Sequence, residues 1–380
     1  MPAQIYLDNA STSFPKPESV YQAVEKFMRQ GGASPGRGSY PKAQESERIV
    51  IKLRSKLSKL LGISDPTNLI FTNNATDALN LALKGFLKQG DHVVTTDIEH
   101  NAVLRPLASL QKSHHIDFTT VKSNLIGEIS PDDILKAIRP QTRLVTCVHA
   151  SNVLGTLQPI QEISKITRER NIILLVDGSQ TTGAIPIDIK ELGVDIFVFT
   201  GHKSLLGLTG TGGLFIRSDL DLKPLREGGN GSHSNSLEQP LERPERYESG
   251  TPNMIGLAGL LGGVEYLLET GVDKIRAHEL ELTNLFVEQL NNIENIKVYG
   301  PEAAKKVAIT SINLASLDPS EVGQMLGKKF GICVRTGLHC APFTKQSTVR
   351  FSFGWSNTRR DIEAACEALR EISAAIYRRV

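Results

Sequence analysis

The strongest constraint on the fold is a repeating alternation between Leu69 and Ile216. Short apolar runs at Leu69–Phe71, His92–Thr95, Phe118–Val121, Leu144–Val148, Ile172–Val176, Ile196–Phe199 and Gly213–Ile216 read as buried strands. Between several of them lie segments of helical spacing, at Asp77–Leu87, Pro131–Ile138 and Ile160–Arg170. Strands that are apolar throughout belong in a sheet covered on both faces, and crossover helices supply that cover. The pattern predicts an α/β fold built on an open, mainly parallel seven-stranded sheet. Ligands in such sheets bind beyond the carboxyl ends of the strands.

A chain of 380 residues exceeds what one core usually supports, so a second unit is expected. Helices at Ile255–Leu268 and Lys274–Asn291 are followed by strand candidates at Ile296–Val298, Ala308–Asn313 and Val349–Phe353 and a closing helix, Arg359–Arg378. These predict a smaller α+β domain. We divide the chain into a large domain, 18–269, and a small one formed by 1–17 and 270–380. Ahead of the sheet come a strand candidate at Ile5–Leu7, an arm broken by Pro15 and Pro17, a loop from Gly31 to Pro41 with Arg37 as its only charge, and a helix over Ala43–Leu61. From Arg226 to Pro252 the composition turns to Gly, Ser, Asn, Glu and Arg, the mark of a functional or mobile loop.

A net charge of +2 argues against nucleic acid or an anionic membrane as the main partner. No basic, apolar leader and no run of membrane-spanning length is seen, so a soluble cytoplasmic protein is expected. Cys147, Cys333, Cys340 and Cys366 lie far apart without a C-x-x-C pair, which reads as free thiols. Neither zinc-finger spacing nor HExxH occurs, and no metal is expected.

Three consecutive strand ends carry the chemistry. Leu144–Val148 runs into His149, Ala150, Ser151 and Asn152; Ile172–Val176 into Asp177, Gly178, Ser179 and Gln180; Ile196–Phe199 into Thr200, Gly201, His202 and Lys203. In a parallel sheet these ends converge on one rim. A carboxylate at the tip of so apolar a strand wants a cation, and Lys203 on the next strand is one. A lysine so placed is suited to bond covalently to an aldehyde cofactor. Taken alone, Lys203 reads equally well as a solvated turn, and Asp177 as a turn cap. Asn73, Asn74, Ala75 and Thr76 precede a helix, an arrangement that makes either an anion site or a plain N-cap. The glycines of Gly207–Gly213 lack P-loop spacing.

The motifs LDNAST (7–12), NNATDALN (73–80), EHNA (99–102), SNVLGT (151–156), VDGSQ (176–180), TGHKSLLGLTGTGG (200–213), SGTPN (249–253) and RTGLHCAP (335–342) occur in order along nearly the whole chain. Together they resemble the class V aminotransferase group of fold-type I pyridoxal-phosphate enzymes, and within it the SUF-type, or group II, cysteine desulfurases.

The resemblance implies pyridoxal 5′-phosphate as cofactor. Lys203 would bind it covalently and move protons at the substrate Cα, Asp177 would keep the pyridine nitrogen protonated, and Gln180 would bond the ring hydroxyl. His100 would stack on the ring and shuttle a proton. Ala75, Thr76, Thr200 and His202 would grip the phosphate. Thr251 would reach the phosphate of a neighbouring subunit, which implies a homodimer. Asn152, Arg335 and Arg350 would form the substrate-binding set, with Asn152 and Arg350 on the substrate carboxylate.

Cys340 lies in a polar loop near Arg335 and His339, surroundings that favour a thiolate. It would take sulfur from L-cysteine as a persulfide, leaving L-alanine, and pass it to an acceptor protein for iron–sulfur or other sulfur metabolism. Cys147, Cys333 and Cys366 fall in strand or helix patterns and read as structural. The loop departs from the group II pattern at Leu338, where that group has a second histidine, and at Phe343, which bears on loop mobility and acceptor choice. The alternatives on the same fold are a selenocysteine or cystine lyase and a class V aminotransferase without a catalytic thiol; a non-catalytic scaffold is the alternative of a different kind.

Overall fold

The computed structural model describes residues 4–36, 38–229, 236–314, 317–341 and 347–377, with side chains to residue 375. Arg37, Pro342, Phe343, Arg378 and part of the 226–246 loop, all singled out above, lie outside the described residues.

The chain opens with β1 (Ile5–Tyr6), α1 (Glu18–Gln30) and α2 (Pro41–Leu60). The alternating region gives β2 (Leu69–Thr72), α3 (Ala75–Phe86), β3 (His92–Thr96), α4 (Asn101–His114), β4 (Asp117–Val121), α5 (Pro131–Ala137), β5 (Thr142–Val148), α6 (Ile160–Glu169), β6 (Ile173–Asp177), α7 (Ile189–Leu192), β7 (Ile196–Thr200) and β8 (Gly212–Ile216). After the long loop come α8 (Met254–Thr270), α9 (Val272–Leu290), β9 (Ile296–Tyr299), β10 (Ile309–Leu314), α10 (Pro319–Phe330), β11 (Ile332–Cys333), β12 (Arg335–Gly337), β13 (Thr348–Ser352) and α11 (Arg359–Tyr377).

The large sheet has the order β2-β8-β7-β6-β5-β3-β4 and is parallel except for β8, which runs antiparallel to both neighbours. β8 returns directly from β7 without a crossover helix, and such a return gives antiparallel pairing. The period of two along each strand feeds two cores. Val94, Val145, Leu174, Val176, Phe197 and Phe199 face the layer of α2, α6 and α8. Val93, Leu144, Leu175, Ile196 and Val198 face α3 and α4.

A third core gathers Leu7, Phe286, Ile312, Phe351 and Leu369 around a four-stranded sheet of order β12-β13-β10-β9. β1 pairs in parallel with β11, so the opening residues of the chain pack with its last third. The fold class is thus the α/β architecture expected: a mainly parallel seven-stranded sheet and a smaller α+β unit.

Helices α1, α4 and α10 were not anticipated. Pro15 and Pro17 end the arm, and behind them α1 buries Val20 and Phe27 while Tyr21 and Met28 stay exposed, which breaks the one-sided apolar pattern. Its seat is the glycine face of α8: a Cβ on Gly262 would fall 2.6 Å from the Ser19 carbonyl oxygen, and one on Gly259 would fall 3.0 Å from a Val24 methyl carbon. In α4 an internal Pro106 masks the helical pattern. Among the described residues no single helix is long and apolar enough to cross a membrane; α8 and α9 meet at an 84° bend.

Candidate active site

The carboxyl ends of β5, β6 and β7 open into a cavity of ≈ 220 Å³. Parallel register sets Val148 beside Asp177 and Asp177 beside Val198, so the residues that follow turn out onto one rim. Asn152, Asp177, Gln180, Thr200, His202 and Lys203 line the cavity. Ala75 and Thr76 join them from the start of α3, and His100 from the residue before α4. Arg335, Cys340 and Arg350 close it from the second sheet. Of the residues given a role by the family resemblance, only Thr251 is not brought here; it is exposed on the segment before α8.

Asp177 is 4% exposed. Its Oδ1 accepts the N–H and hydroxyl of Ser179 at 2.9 and 2.5 Å. No donor among the described residues engages Oδ2, which is left for a cation. Burial lowers Lys203 to about 8; Asp177 opposes that shift, and Arg350 and Arg335 add to it. Its amine is therefore available in the neutral, nucleophilic form near neutral pH.

At the start of α3, Asn74 caps by accepting the Asp77 N–H at 2.9 Å. The N–H groups of Ala75 and Thr76 have no partner inside the helix and present positive potential. Gly212 permits the approach of β8, since a Cβ there would fall 2.7 Å from the Asn74 carbonyl carbon. His202 is pushed down to about 4 by burial and by the charges of Lys203 and Lys16, and its buried Nδ1 has no partner. Its carbonyl accepts from Ser13 N, Thr12 Oγ1 and Lys16 Nζ at 3.0 Å each, tying the opening segment to the site.

His100 caps α4, its Nδ1 accepting the Ala102 N–H at 3.0 Å. With Nδ1 an acceptor, the ring proton resides on Nε2. Burial chiefly, with smaller effects of Lys203, Arg335 and Arg105, lowers the ring and favours its neutral form.

Cys340 is exposed at the tip of a strained loop, where His339 and Cys340 take left-handed φ of 51° and 62°. Asn152 Nδ2 donates to the His339 carbonyl at 2.5 Å, and Asn101 N–H to the Cys340 carbonyl at 2.9 Å. Arg335 Nη2 lies 3.6 Å from the Cys340 sulfur. The positive charge expected from His339 is not there: burial, Arg350 and Arg335 push its ring down to about 3, so Arg335 is the cation beside the thiol. Cys147 and Cys366 are buried thiols raised by burial, the latter to about 12, and burial also raises Cys333.

Arg350 is 2% exposed; it pairs with Asp8 at 3.0 Å, donates to the Asn152 carbonyl at 2.8 Å, and keeps a buried Nε without partner. Asn152 has committed its Nδ2 to the loop and leaves Oδ1 bare. Nδ2 keeps a second hydrogen, so a carboxylate would find donors in both Arg350 and Asn152. Gln180 spends one amide hydrogen on the Ala10 carbonyl at 3.1 Å.

Three residues escaped the sequence reading. Ser179 orients Asp177, and Ser11 reaches the arginines. Glu99 is fully buried, accepts Thr96 Oγ1 at 2.6 Å and Val148 N–H at 2.9 Å, and is raised by burial to about 8. Its place beside His100 at the end of an apolar strand was the available signal.

The family model for aminotransferase class-V matches residues 5–365. The chain is 33% identical to a probable cysteine desulfurase of Methanothermobacter thermautotrophicus, over 97% of this chain and 94% of the relative. It is also 33% identical to one of Halalkalibacterium halodurans, over 96% and 92%. It superposes on the apo structure of a cysteine desulfurase from Thermococcus onnurineus with a TM-score of 0.92 at 30% identity, covering 98% of this chain and 95% of that one. For a cysteine desulfurase of Escherichia coli the TM-score is 0.90 at 25% identity, covering 98% and 95%.

Proposed function

The chain belongs to the aminotransferase class-V family, and from that premise we propose that it is a pyridoxal-phosphate-dependent cysteine desulfurase, converting L-cysteine to L-alanine with a persulfide formed on Cys340. The observation that carries this reading is one cavity holding an amine lowered by burial, Lys203, and an exposed thiol beside a guanidinium, Cys340 with Arg335.

The residues present fit the cofactor. The unpartnered N–H groups of Ala75 and Thr76, the Thr200 hydroxyl and the orphaned Nδ1 of His202 suit a phosphate, and the open oxygen of Asp177 suits a protonated ring nitrogen. When bound, pyridoxal phosphate supplies an electron sink for bonds at the substrate Cα.

Lys203 would hold the group covalently and carry the Cα proton. Gln180 would bond the ring hydroxyl with its remaining amide capacity. His100 would cover the ring face and offer its Nε2 proton. Arg350 would take the substrate carboxylate, where a guanidinium allows paired contacts. The Cys340 thiolate then attacks the substrate sulfur. An S–S bond forms on Cys340 as the substrate's C–S bond breaks, the released electron pair stays with the carbon skeleton, and a proton completes the methyl group of alanine. No external oxidant is needed: the carbon is reduced by the electron pair it keeps, and the two sulfurs together rise by two electrons from the thiol to the persulfide level.

Thr251, exposed and away from its own cavity, would serve the cavity of a second copy in a homodimer. An acceptor protein would collect the persulfide for iron–sulfur cluster assembly or other sulfur metabolism, with the 226–246 loop as a docking element. Free thiols at Cys147, Cys333, Cys340 and Cys366 fit the cytoplasm.

Incubation with L-cysteine tests the reading: equimolar alanine and sulfide are expected in the presence of a thiol reductant. Turnover confined to selenocysteine or cystine, or transamination without need of Cys340, would replace it with one of the sister activities.

A further inference from the structure

Arg335 and Arg350 stand directly opposite each other across β12 and β13. Like charges in that position are unfavourable in an antiparallel pair. The structure answers with one oxygen. Ser11 Oγ accepts from Arg335 Nη1 at 2.8 Å and from Arg350 Nη2 at 2.8 Å, and donates to Asp8 Oδ1 at 2.8 Å. A hydroxyl has one proton and two lone pairs, and all three are used. Asp8 fixes the direction of the O–H bond, so the negative end of its dipole points at both cations.

Arg335 uses its other terminal nitrogen differently, with Nη2 lying 3.6 Å from Cys340 Sγ. A continuous chain therefore runs from Asp8 through Ser11 to Arg335 and Cys340, with Arg350 branching from the same hydroxyl. Ser11 itself lines the cavity.

We propose that Ser11 is a positioning residue that locks the carboxylate-binding arginine and the thiolate-stabilising arginine to each other, coupling capture of an α-amino acid carboxylate to the readiness of Cys340. The substrate half of this inference rests on the desulfurase reading above; the thiol half does not. Without the hydroxyl, Arg335 loses the contact that holds Nη1 and is free to move away from Arg350, which stays tied to Asp8 and the Asn152 carbonyl, and the charge beside Cys340 loosens.

The test compares wild type, Ser11→Ala and Ser11→Thr, and sets Ser11→Ala on an Arg335→Gln background. Alkylation of Cys340 by iodoacetamide is followed against pH by peptide mass, together with KM and kcat for L-cysteine. In Ser11→Ala the alkylation midpoint should rise by about half a unit to one unit, as expected when a nearby cation is loosened. KM should rise about tenfold, the lower end of the scale for one hydrogen bond to a charged group. Ser11→Thr, which keeps a hydroxyl, should restore both, and in the Arg335→Gln background removal of the hydroxyl should no longer move the midpoint. A wild-type alkylation profile in Ser11→Ala, or an equal shift with and without Arg335, would overturn the proposal. Melting curves identify any variant that has lost its fold, and for these the Ser11→Thr and Arg335→Gln comparisons still decide. A wild type that shows the Ser11-dependent profile but no turnover of cysteine would defeat the proposed function alone and support the coupling.

Discussion

The backbone carbonyl of Cys340 accepts the N–H of Asn101 at 2.9 Å, which fastens the thiol's loop to the first turn of the helix that His100 caps. Two groups more than two hundred positions apart in the sequence are thereby set across one cavity. Asn152 completes the fastening through the His339 carbonyl. This matters because His339 and Cys340 both hold left-handed backbone, a conformation that persists only when its surroundings enforce it. Asn152→Ala should let the loop relax, lowering kcat/KM for cysteine about fivefold, the effect of one hydrogen bond. Steady-state kinetics beside a melting curve checks this; unchanged kinetics would show that the loop is held by other contacts.

Lys203 has its ammonium form disfavoured down to about 8, first by burial. The neutral amine is the form that attacks an aldehyde, so the cofactor-free chain should take up pyridoxal phosphate faster as pH rises, with a midpoint near 8. Stopped-flow absorbance across pH measures it. In Lys203→Ala, borohydride should leave no cofactor attached.

Glu279 on α9 is 5% exposed and raised to about 8 by burial, an effect that Arg276 only partly offsets. In the unfolded chain a glutamate ionises near its ordinary value of 4.5. Its folded pKa is the higher one, so the stability it contributes is fully present below pH 4.5 and is lost as pH rises through about 8. Glu279→Gln should therefore flatten the fall in melting temperature between pH 5 and pH 8. Parallel melting curves for wild type and variant over that range would contradict the assignment.

Arg54 is 8% exposed, forks onto Glu248 at 2.9 and 2.8 Å, and lies over the Phe71 ring at 4.4 Å. Glu248 also accepts the Phe71 N–H at 2.6 Å. The pair pins the end of the long loop, just ahead of Thr251, to α2 and β2. Arg54→Ala strands a half-buried carboxylate and should cost about 2 kcal/mol of stability in denaturant titration.

Much of this architecture could be read from the chain because strands buried on both faces cannot disguise their composition. NIILLVD and DIFVFT announce β6 and β7, and parallel register then places Asp177 and Lys203 on one rim without further information. Helices α1 and α4 were less legible: α1 follows Pro17 and exposes Tyr21 and Met28, and α4 carries Pro106 inside it, all of which blur the period. Ser11 sits inside the LDNAST motif, but its role could not be read from pattern. Its importance comes from accepting hydrogen bonds from two arginines more than three hundred positions away, and the local bond to Asp8 does not announce them. The neutral state of His339 was equally hidden, because it depends on burial between two arginines rather than on its neighbours in the chain.

The central claim is that Cys340 receives the sulfur. The most direct measurement incubates wild type and Cys340→Ser, both loaded with pyridoxal phosphate, with L-cysteine, and follows alanine release together with the mass of the Cys340 peptide. Wild type should release alanine and carry one additional sulfur on that peptide until a reductant removes it, while Cys340→Ser keeps its bound cofactor and loses alanine release by at least about a hundredfold, as for removal of a nucleophile. Alanine formed at the wild-type rate by Cys340→Ser, or sulfur found on Cys147, Cys333 or Cys366 instead, would contradict the account.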